Sequence, residues 1–191
     1  MLEVEVKARV GDPAAARALI LGAGAVERRP RHREINTLYD FRDGRLARAD
    51  RTVRLRVAGK KGLLTYKGTP QKSRRFKVRE EIETEVKKPG AAAKILAELG
   101  LVPVFRYEKR RTLYKKGPLT ICLDELAIGN FIEVEGERAK IVRFMKELRI
   151  ARKDWIRSSY IGLIQSAEGA AGALHSESLS SAASSTGKSS S

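Results

Sequence analysis

Acidic and basic residues recur at every second position along several short stretches of this chain. Acids stand in pairs at Glu3/Glu5, Glu81/Glu83 and Glu133/Glu135. Bases follow the same spacing at Arg54/Arg56 and Lys109/Arg111, with Lys7 two residues beyond Glu5 and Lys67 and Asp124 standing singly. A two-residue period puts each set on one face of a strand. Arg and Lys supply the forked and point-charge donors that phosphate oxygens accept. Clustered carboxylates repel one another unless a hard divalent cation lies between them, and such cations take carboxylate and phosphate oxygens together. If the strands close into a barrel with these faces inward, both signs of charge line one lumen, and a metal–triphosphate complex satisfies both. The plainer alternatives are charged faces that simply meet water and an internal salt-bridge network with no ligand. The number of such faces weakens the first, and the cost of burying so many charges weakens the second.

The elements that would carry these residues are mostly strands. Leu2–Lys7, Val53–Val57 and Glu81–Val86 alternate strictly between apolar and charged. Ile35–Phe41, Gly62–Lys67, Val104–Lys115, Leu119–Leu123 and Phe131–Glu135 are further strands by the same pattern. Asp12-Pro13 is a helix-opening pair, and that helix stops near Gly22 or Gly24. Pro89 opens a second helix that ends at Gly100, and Glu137–Leu148 forms a third with Ile141, Phe144, Met145 and Leu148 on one face. Asp154 is placed as the cap of a fourth, which Trp155 and Tyr160 would pack onto the strands. Each glutamate pair leads from a strand into a helix, an internal near-repeat that argues for an α+β domain dominated by antiparallel strands.

The chain has 191 residues with 39 Lys+Arg against 23 Asp+Glu, a formal net charge of +16. From Ala167 to Ser191 it is mostly Ser, Ala and Gly, a composition too poor in large apolar residues to fold. Residues 1–166 are therefore one domain that holds the basic excess, and 167–191 a disordered tail. Such an excess calls for an anionic partner. The single Cys122 excludes an internal disulfide framework and cysteine-rich zinc sites. No apolar run is long enough to span a membrane and the first residues lack a signal-peptide stretch, so a cytoplasmic location without membrane attachment is expected. His32 and His175 lack the company of a catalytic dyad. No Walker-type glycine loop is present.

Glu3-Val4-Glu5-Val6-Lys7 resembles the E-x-E-x-K signature of the CYTH proteins, the triphosphate tunnel metalloenzymes. An ordered series follows it: Asn36-Thr37-Leu38-Tyr39-Asp40, Arg54-Leu55-Arg56, Thr65-Tyr66-Lys67-Gly68, Arg79-Glu80-Glu81-Ile82-Glu83, Lys109-Arg110-Arg111, Leu123-Asp124 and Ile132-Glu133-Val134-Glu135. The resemblance implies an eight-stranded antiparallel β-barrel, open as a triphosphate tunnel, with flanking helices. It implies Mg²⁺ or Mn²⁺ held by Glu3, Glu5, Glu133 and Glu135, with Glu81, Glu83 and Asp124 serving a second ion, a water or an assisting role. It implies that Lys7, Arg54, Arg56, Lys67, Lys109 and Arg111 grip a small-molecule triphosphate. Lys67, Tyr39 and Glu83 become catalytic candidates, the first two as an acid–base pair.

The Arg79–Glu83 and Gly129–Glu135 segments resemble class IV adenylate cyclases, which make cyclic AMP and pyrophosphate from ATP. Asn36 and Thr37 depart from the Gln and Asp often found in those cyclases. The alternative is hydrolysis of thiamine triphosphate, inorganic triphosphate or a nucleoside triphosphate. Related domains can pair as homodimers. From a different class, a non-enzymatic binder of RNA or polyphosphate would use the basic runs Arg28–Arg33 and Lys72–Lys77, which fall outside the alternating series and are placed on loops.

Overall fold

Alternation of apolar and charged residues drives almost every strand of the computed structural model, which describes residues 2–71 and 76–169; the side chains of Leu2, Glu3 and Lys77 lie outside that description. The elements run β1 (Leu2–Val10), α1 (Pro13–Gly22), β2 (Val26–Phe41), α2 (Arg45–Arg48), β3 (Thr52–Ala58), β4 (Lys61–Lys67), β5 (Lys77–Val86), α3 (Pro89–Glu98), β6 (Leu101–Lys116), β7 (Leu119–Leu126), β8 (Gly129–Glu135), α4 (Arg138–Glu147) and the two-residue β9 (Trp155–Ile156). The strand order is β5-β4-β3-β2-β6-β7-β8-β1, and β5 pairs back onto β1. The result is a closed eight-stranded antiparallel barrel with flanking helices, as the alternation and the resemblance led one to expect.

Closure joins Glu3 to Arg79 and Glu5 to Lys77 as register partners. It leaves no free edge among the eight strands. β5 covers only the first half of that side of β1, and β9 pairs with Lys7 and Ala8 beyond it.

The barrel is apolar outside and charged inside. Val6 and Ala8 of β1, Ile121 and Leu123 of β7 and Ile132 and Val134 of β8 face outward into a buried cluster with Ala16 and Ile20 of α1 and Ile141, Phe144 and Met145 of α4. The spacings within each helix are those of one helical face. A second cluster joins Leu55 and Tyr39 to Ala92 and Leu96 of α3. Asp12 accepts a hydrogen bond from Ala15 N at 2.8 Å, so the Asp-Pro pair opens α1 as expected. Gly62 lets α3 dock closely, since a Cβ there would lie 2.9 Å from Pro89 Cγ. Among the described residues no helix is long and apolar enough to cross a membrane.

Two sequence expectations need correction. Arg28–Arg33 is not a loop but the first half of β2, paired with β6. Its positive charge hid it, and so did Pro30, which sits where the register shifts between Arg29 and His32 and no ladder N–H is needed. The acids that make this stretch a stable strand lie on other strands: Arg31 pairs with Glu125 of β7 at 2.7 Å and Arg33 with Glu108 of the adjacent β6 at 2.6 Å.

Asp154 is not a cap of the last helix; it ends a 3₁₀ turn over Arg152–Asp154 that leads into β9. Trp155 accordingly lies in β9, its ring centroid 5.8 Å from that of Phe76. The chain divides into two compact units, Met1–Arg157 and Ser158–Ser191. The described part of the second is a helix over 160–169, entered at Ser159, whose Oγ accepts from Gly162 N at 3.3 Å. The expected tail lies outside the described residues from 170 onward, as do residues 72–75 of the second basic run.

Candidate active site

The lumenal face can be followed strand by strand through the registers. Lys7 of β1 opposes Glu133 of β8, which opposes Cys122 of β7. Asp124 opposes Arg111 of β6, and Lys109 opposes Glu34 of β2. Asn36 opposes both Tyr107 and Arg56, and Leu38 opposes Arg54. Across β4 and β5, Thr65 meets Glu83 and Lys67 meets Glu81. The structure thus brings Lys7, Arg54, Arg56, Lys67, Lys109 and Arg111 onto one interior surface with Glu5, Glu81, Glu83, Asp124, Glu133 and Glu135. The register also puts Glu3 on this face, but its side chain lies outside the described residues.

The centre of this surface is a buried, cross-braced cluster. Asp124, fully buried, accepts from Arg111 Nε at 2.6 Å and Nη2 at 2.5 Å, and from Lys109 Nζ at 2.9 Å. Glu133 takes Lys7 Nζ at 2.6 Å and also the Arg111 guanidinium. Burial alone would raise the Glu133 carboxyl, but Lys7, Arg111 and Lys109 overcome it and hold the group well below the usual carboxylate range. Burial likewise lowers Lys7, and the Glu133 and Glu5 carboxylates reverse that and leave it raised. With both oxygens of Asp124 and of Glu133 occupied in this way, these two acids fix the spacing of three cations.

Glu34 is a site residue that the sequence reading missed. It is 2% exposed, with Arg56 Nε 3.5 Å, Lys109 Nζ 3.7 Å and His32 Nε2 3.3 Å from its carboxylate oxygens. Burial pushes its carboxyl up, and Arg111, Arg56, Lys109 and His32 together pull it down to about 2. His32 is therefore part of the lumen wall rather than of a solvated run, with Nδ1 2.8 Å from Pro30 O. Glu34 shares its alternation with Asn36, which was the signal available. The flanking arginines masked it, because they face the opposite side of the same strand.

On the other side of the barrel, Thr65 donates to Glu83 at 2.7 Å, and Arg54 Nη2 lies 3.3 Å from Thr65 Oγ1 and 3.5 Å from Glu83. Lys67 is paired with Glu81. Several polar atoms here are buried without a hydrogen-bond partner among the described residues: Arg54 Nε, Arg56 Nε, Arg79 Nε and both amide atoms of Asn36. Arg56 is pulled down by its burial and by the neighbouring Arg54 charge. Leaving such donors unmatched costs about 1–3 kcal/mol each.

Tyr39 is the candidate that the fold does not bring in. It pairs with Val53 on the outer face of β2 and is buried against Leu55, Ala92, Leu96 and Leu101, where burial raises its phenol. It cannot partner Lys67, which faces the lumen. Parity explains the correction: Asn36 and Leu38 point inward, so Tyr39 points outward. Asp40 is structural as well, accepting from the backbone N–H groups of Phe41, Leu46 and Ala47 at the start of β2's return through α2. Cys122 faces the cluster, but burial pushes its thiol up to about 12, which leaves it a protonated wall residue.

Comparison with known proteins places this architecture. A protein of Methanocaldococcus jannaschii named as a candidate adenylate cyclase is 28% identical over 174 residues, covering 85% of this chain and 98% of its own. The crystal structure of a candidate adenylate cyclase from Vibrio parahaemolyticus superposes with a TM-score of 0.75 at 20% identity, over 86% of this chain and 98% of that one. A Hippeastrum protein, described as a candidate adenylyl cyclase with a dominant triphosphatase activity, superposes with a TM-score of 0.65 at 22% identity, over 86% and 96%. Residues 1–160 match the model of the CYTH domain. With its closed, charge-lined barrel and this match over most of its length, the chain belongs to the CYTH domain family.

Proposed function

We propose that this protein is a divalent-cation-dependent enzyme acting on a small-molecule triphosphate, with ATP converted to cyclic AMP and pyrophosphate as the first reading. The observation that carries it is the buried guanidinium of Arg54, whose Nε faces the lumen with no hydrogen-bond partner among the described residues, beside that of Arg56, whose Nε reaches Glu34 only at 3.5 Å. Phosphate oxygens supply the missing acceptors in the geometry that arginine forks favour. Lys7, Lys109 and Arg111, already spaced by Asp124, Glu133 and Glu34, need little reorganisation as charge develops on the phosphoryl oxygens.

A divalent cation fits the residues present. Glu5 and Glu135 oppose each other in register, an arrangement of like charges that a cation relieves. Among the described residues no three His, Cys, Asp or Glu side chains form a ready cage. An ion of the Mg²⁺ or Mn²⁺ type uses one or two carboxylates and completes its shell with phosphate and water, which the opposed Glu5 and Glu135 can accommodate. Glu5 and Glu135, with Glu3 beside them on β1, are the residues assigned to it; Asp124, Glu133 and Glu81 serve as counter-ions to the cations. When bound, the ion would neutralise charge on the phosphate oxygens.

Chemistry then rests on this chain's positioning. In the cyclase reaction the ribose 3′-hydroxyl attacks the α-phosphorus and pyrophosphate leaves; Glu83, held by Thr65, takes the hydroxyl proton and Lys67 offsets the phosphoryl charge. The second reading, hydrolysis with water attacking the terminal phosphorus, is favoured by the Hippeastrum neighbour's described activity and by Asn36-Thr37. A panel of ATP, thiamine triphosphate and inorganic triphosphate with Mg²⁺ or Mn²⁺, resolved for cyclic nucleotide, pyrophosphate and phosphate, separates the two. Glu5→Gln is expected to abolish metal-dependent turnover without unfolding the barrel, and near-normal activity in that variant would overturn the cation assignment.

A further inference from the structure

Arg79 lies on the lumenal face of β5, opposite Glu3 in register and two residues before Glu81. It is 5% exposed, yet its Nε has no hydrogen-bond partner among the described residues. Its one ion pair among the described residues is with Asp50, whose Oδ1 lies 3.3 Å from Arg79 Nη2 and whose side chain is 71% exposed. The two partners are therefore unequal: a desolvated guanidinium in the barrel and a carboxylate reaching it from solvent.

Asp50 is also held in an unusual backbone conformation, with φ at +52° between α2 and β3. Residues other than glycine rarely adopt this left-handed region, although aspartate tolerates it better than most. The turn is tied down on both sides: Asp50 N donates to Ala47 O at 2.9 Å, and Thr69 Oγ1 donates to Ala49 O at 2.8 Å. It thus holds a carboxylate over the end of the barrel where β3 begins and β4 ends, with Lys67 the last residue of β4.

We infer that Arg79 is a further phosphate-binding cation of this site and that Asp50 is a built-in anion occupying the position that a substrate phosphate takes. This rests on the triphosphate reading above. A fork with one nitrogen unsatisfied and one bound to a solvated, singly contacting carboxylate is a partner that a phosphate outcompetes, because phosphate can meet both nitrogens at once. Asp50 then swings into water, where its charge is already largely hydrated. Among the described residues Asp50 is the acid that pairs with this buried arginine, and the pairing sets a modest threshold that weakly binding anions do not pass.

The test is calorimetric titration of the full chain with inorganic tripolyphosphate and Mg²⁺. Asp50→Asn, an exposed change, is expected to tighten binding about two- to fivefold. Asp43→Asn, which removes an equal charge from an exposed position in the α2 region, is expected to leave it unchanged. Arg79→Met is expected to weaken binding about tenfold or more, with Arg79→Lys intermediate, and the gain from Asp50→Asn should vanish in the Arg79→Met background. Equal gains from Asp50→Asn and Asp43→Asn, or a gain that survives Arg79→Met, would overturn the inference. If Arg56→Met loses binding while changes at Arg79 and Asp50 do not alter it, the inference falls and the triphosphate reading stands. If the wild-type chain binds no tripolyphosphate, both fall.

Discussion

At the scale of single residues, side-chain parity decides which groups share the chemistry. Tyr39 and Asn36 are three positions apart on β2 and belong to different environments: Asn36 is fully buried on the lumenal face, and Tyr39 packs under α3. Tyr39→Phe should therefore leave turnover within about twofold of wild type, because a ring on the outer cluster contributes packing rather than proton transfer; a large loss of kcat at unchanged stability would return Tyr39 to the mechanism. Glu34 makes the opposite case, a residue whose role follows from its neighbours. Its carboxyl is lowered from 4.5 to about 2 in the folded protein. A depressed carboxylate stabilises the fold fully above its unfolded pKa, and that contribution is lost as the pH falls through the folded value. Melting temperature should accordingly drop between about pH 4.5 and 2, with on the order of 3 kcal/mol at stake from this group. Glu34→Gln should lower stability at neutral pH and flatten that acid limb; an unchanged limb would mean that other carboxylates govern it.

At the scale of elements, docking of the helices onto the apolar exterior keeps the charged interior closed. α3 is attached by Ala92 and Leu96 and by the approach of Pro89 to Gly62 on β4. Gly62→Val should cost about 1–3 kcal/mol by forcing Pro89 away, read as a lower denaturation midpoint with an unchanged denaturant slope; a neutral outcome would show that the α3 entry yields without loss. The same elements show what the sequence made legible. Strict alternation marked β1, β3 and the second half of β5, and the Asp12-Pro13 and Pro89 signals opened α1 and α3 where the structure has them. The first half of β2 was hidden because its outward arginines find their acids on other strands, Glu108 and Glu125, which no local pattern connects. α2, with four residues, depends on the distant Asp40 carboxylate for its first N–H groups, and β9 exists only because β5 leaves part of β1 unpaired. The site was legible where its charges alternated, as from Arg79 to Glu83, whereas the importance of Glu34 and Thr65 comes from partners across the barrel that no local pattern shows.

At the scale of the whole molecule, the net charge of +16 acquires a different meaning once the lumen is drawn. Among the described residues, the interior bases are nearly matched by interior acids: Lys7 by Glu133, Arg111 and Lys109 by Asp124, Lys67 by Glu81, Arg56 by Glu34. The basic excess therefore lies mainly outside the barrel. Exterior arginines such as Arg31 and Arg33 are themselves paired, so the surplus is spread over the surface rather than concentrated in one anion-binding wall. A diffuse positive field raises the encounter rate with a polyanionic substrate and is screened within about 10 Å at 0.1 M salt, whereas contacts inside a desolvated barrel are screened much less. Raising the salt from about 20 to about 300 mM with a neutral viscosity control should therefore lower kcat/KM several-fold while kcat changes little. Removing exterior charge by Arg28→Gln with Arg29→Gln should reduce that salt sensitivity without altering kcat. A fall in kcat that parallels kcat/KM would instead locate the salt-sensitive cations in the lumen, and the surplus charge would then belong to the chemistry rather than to the approach.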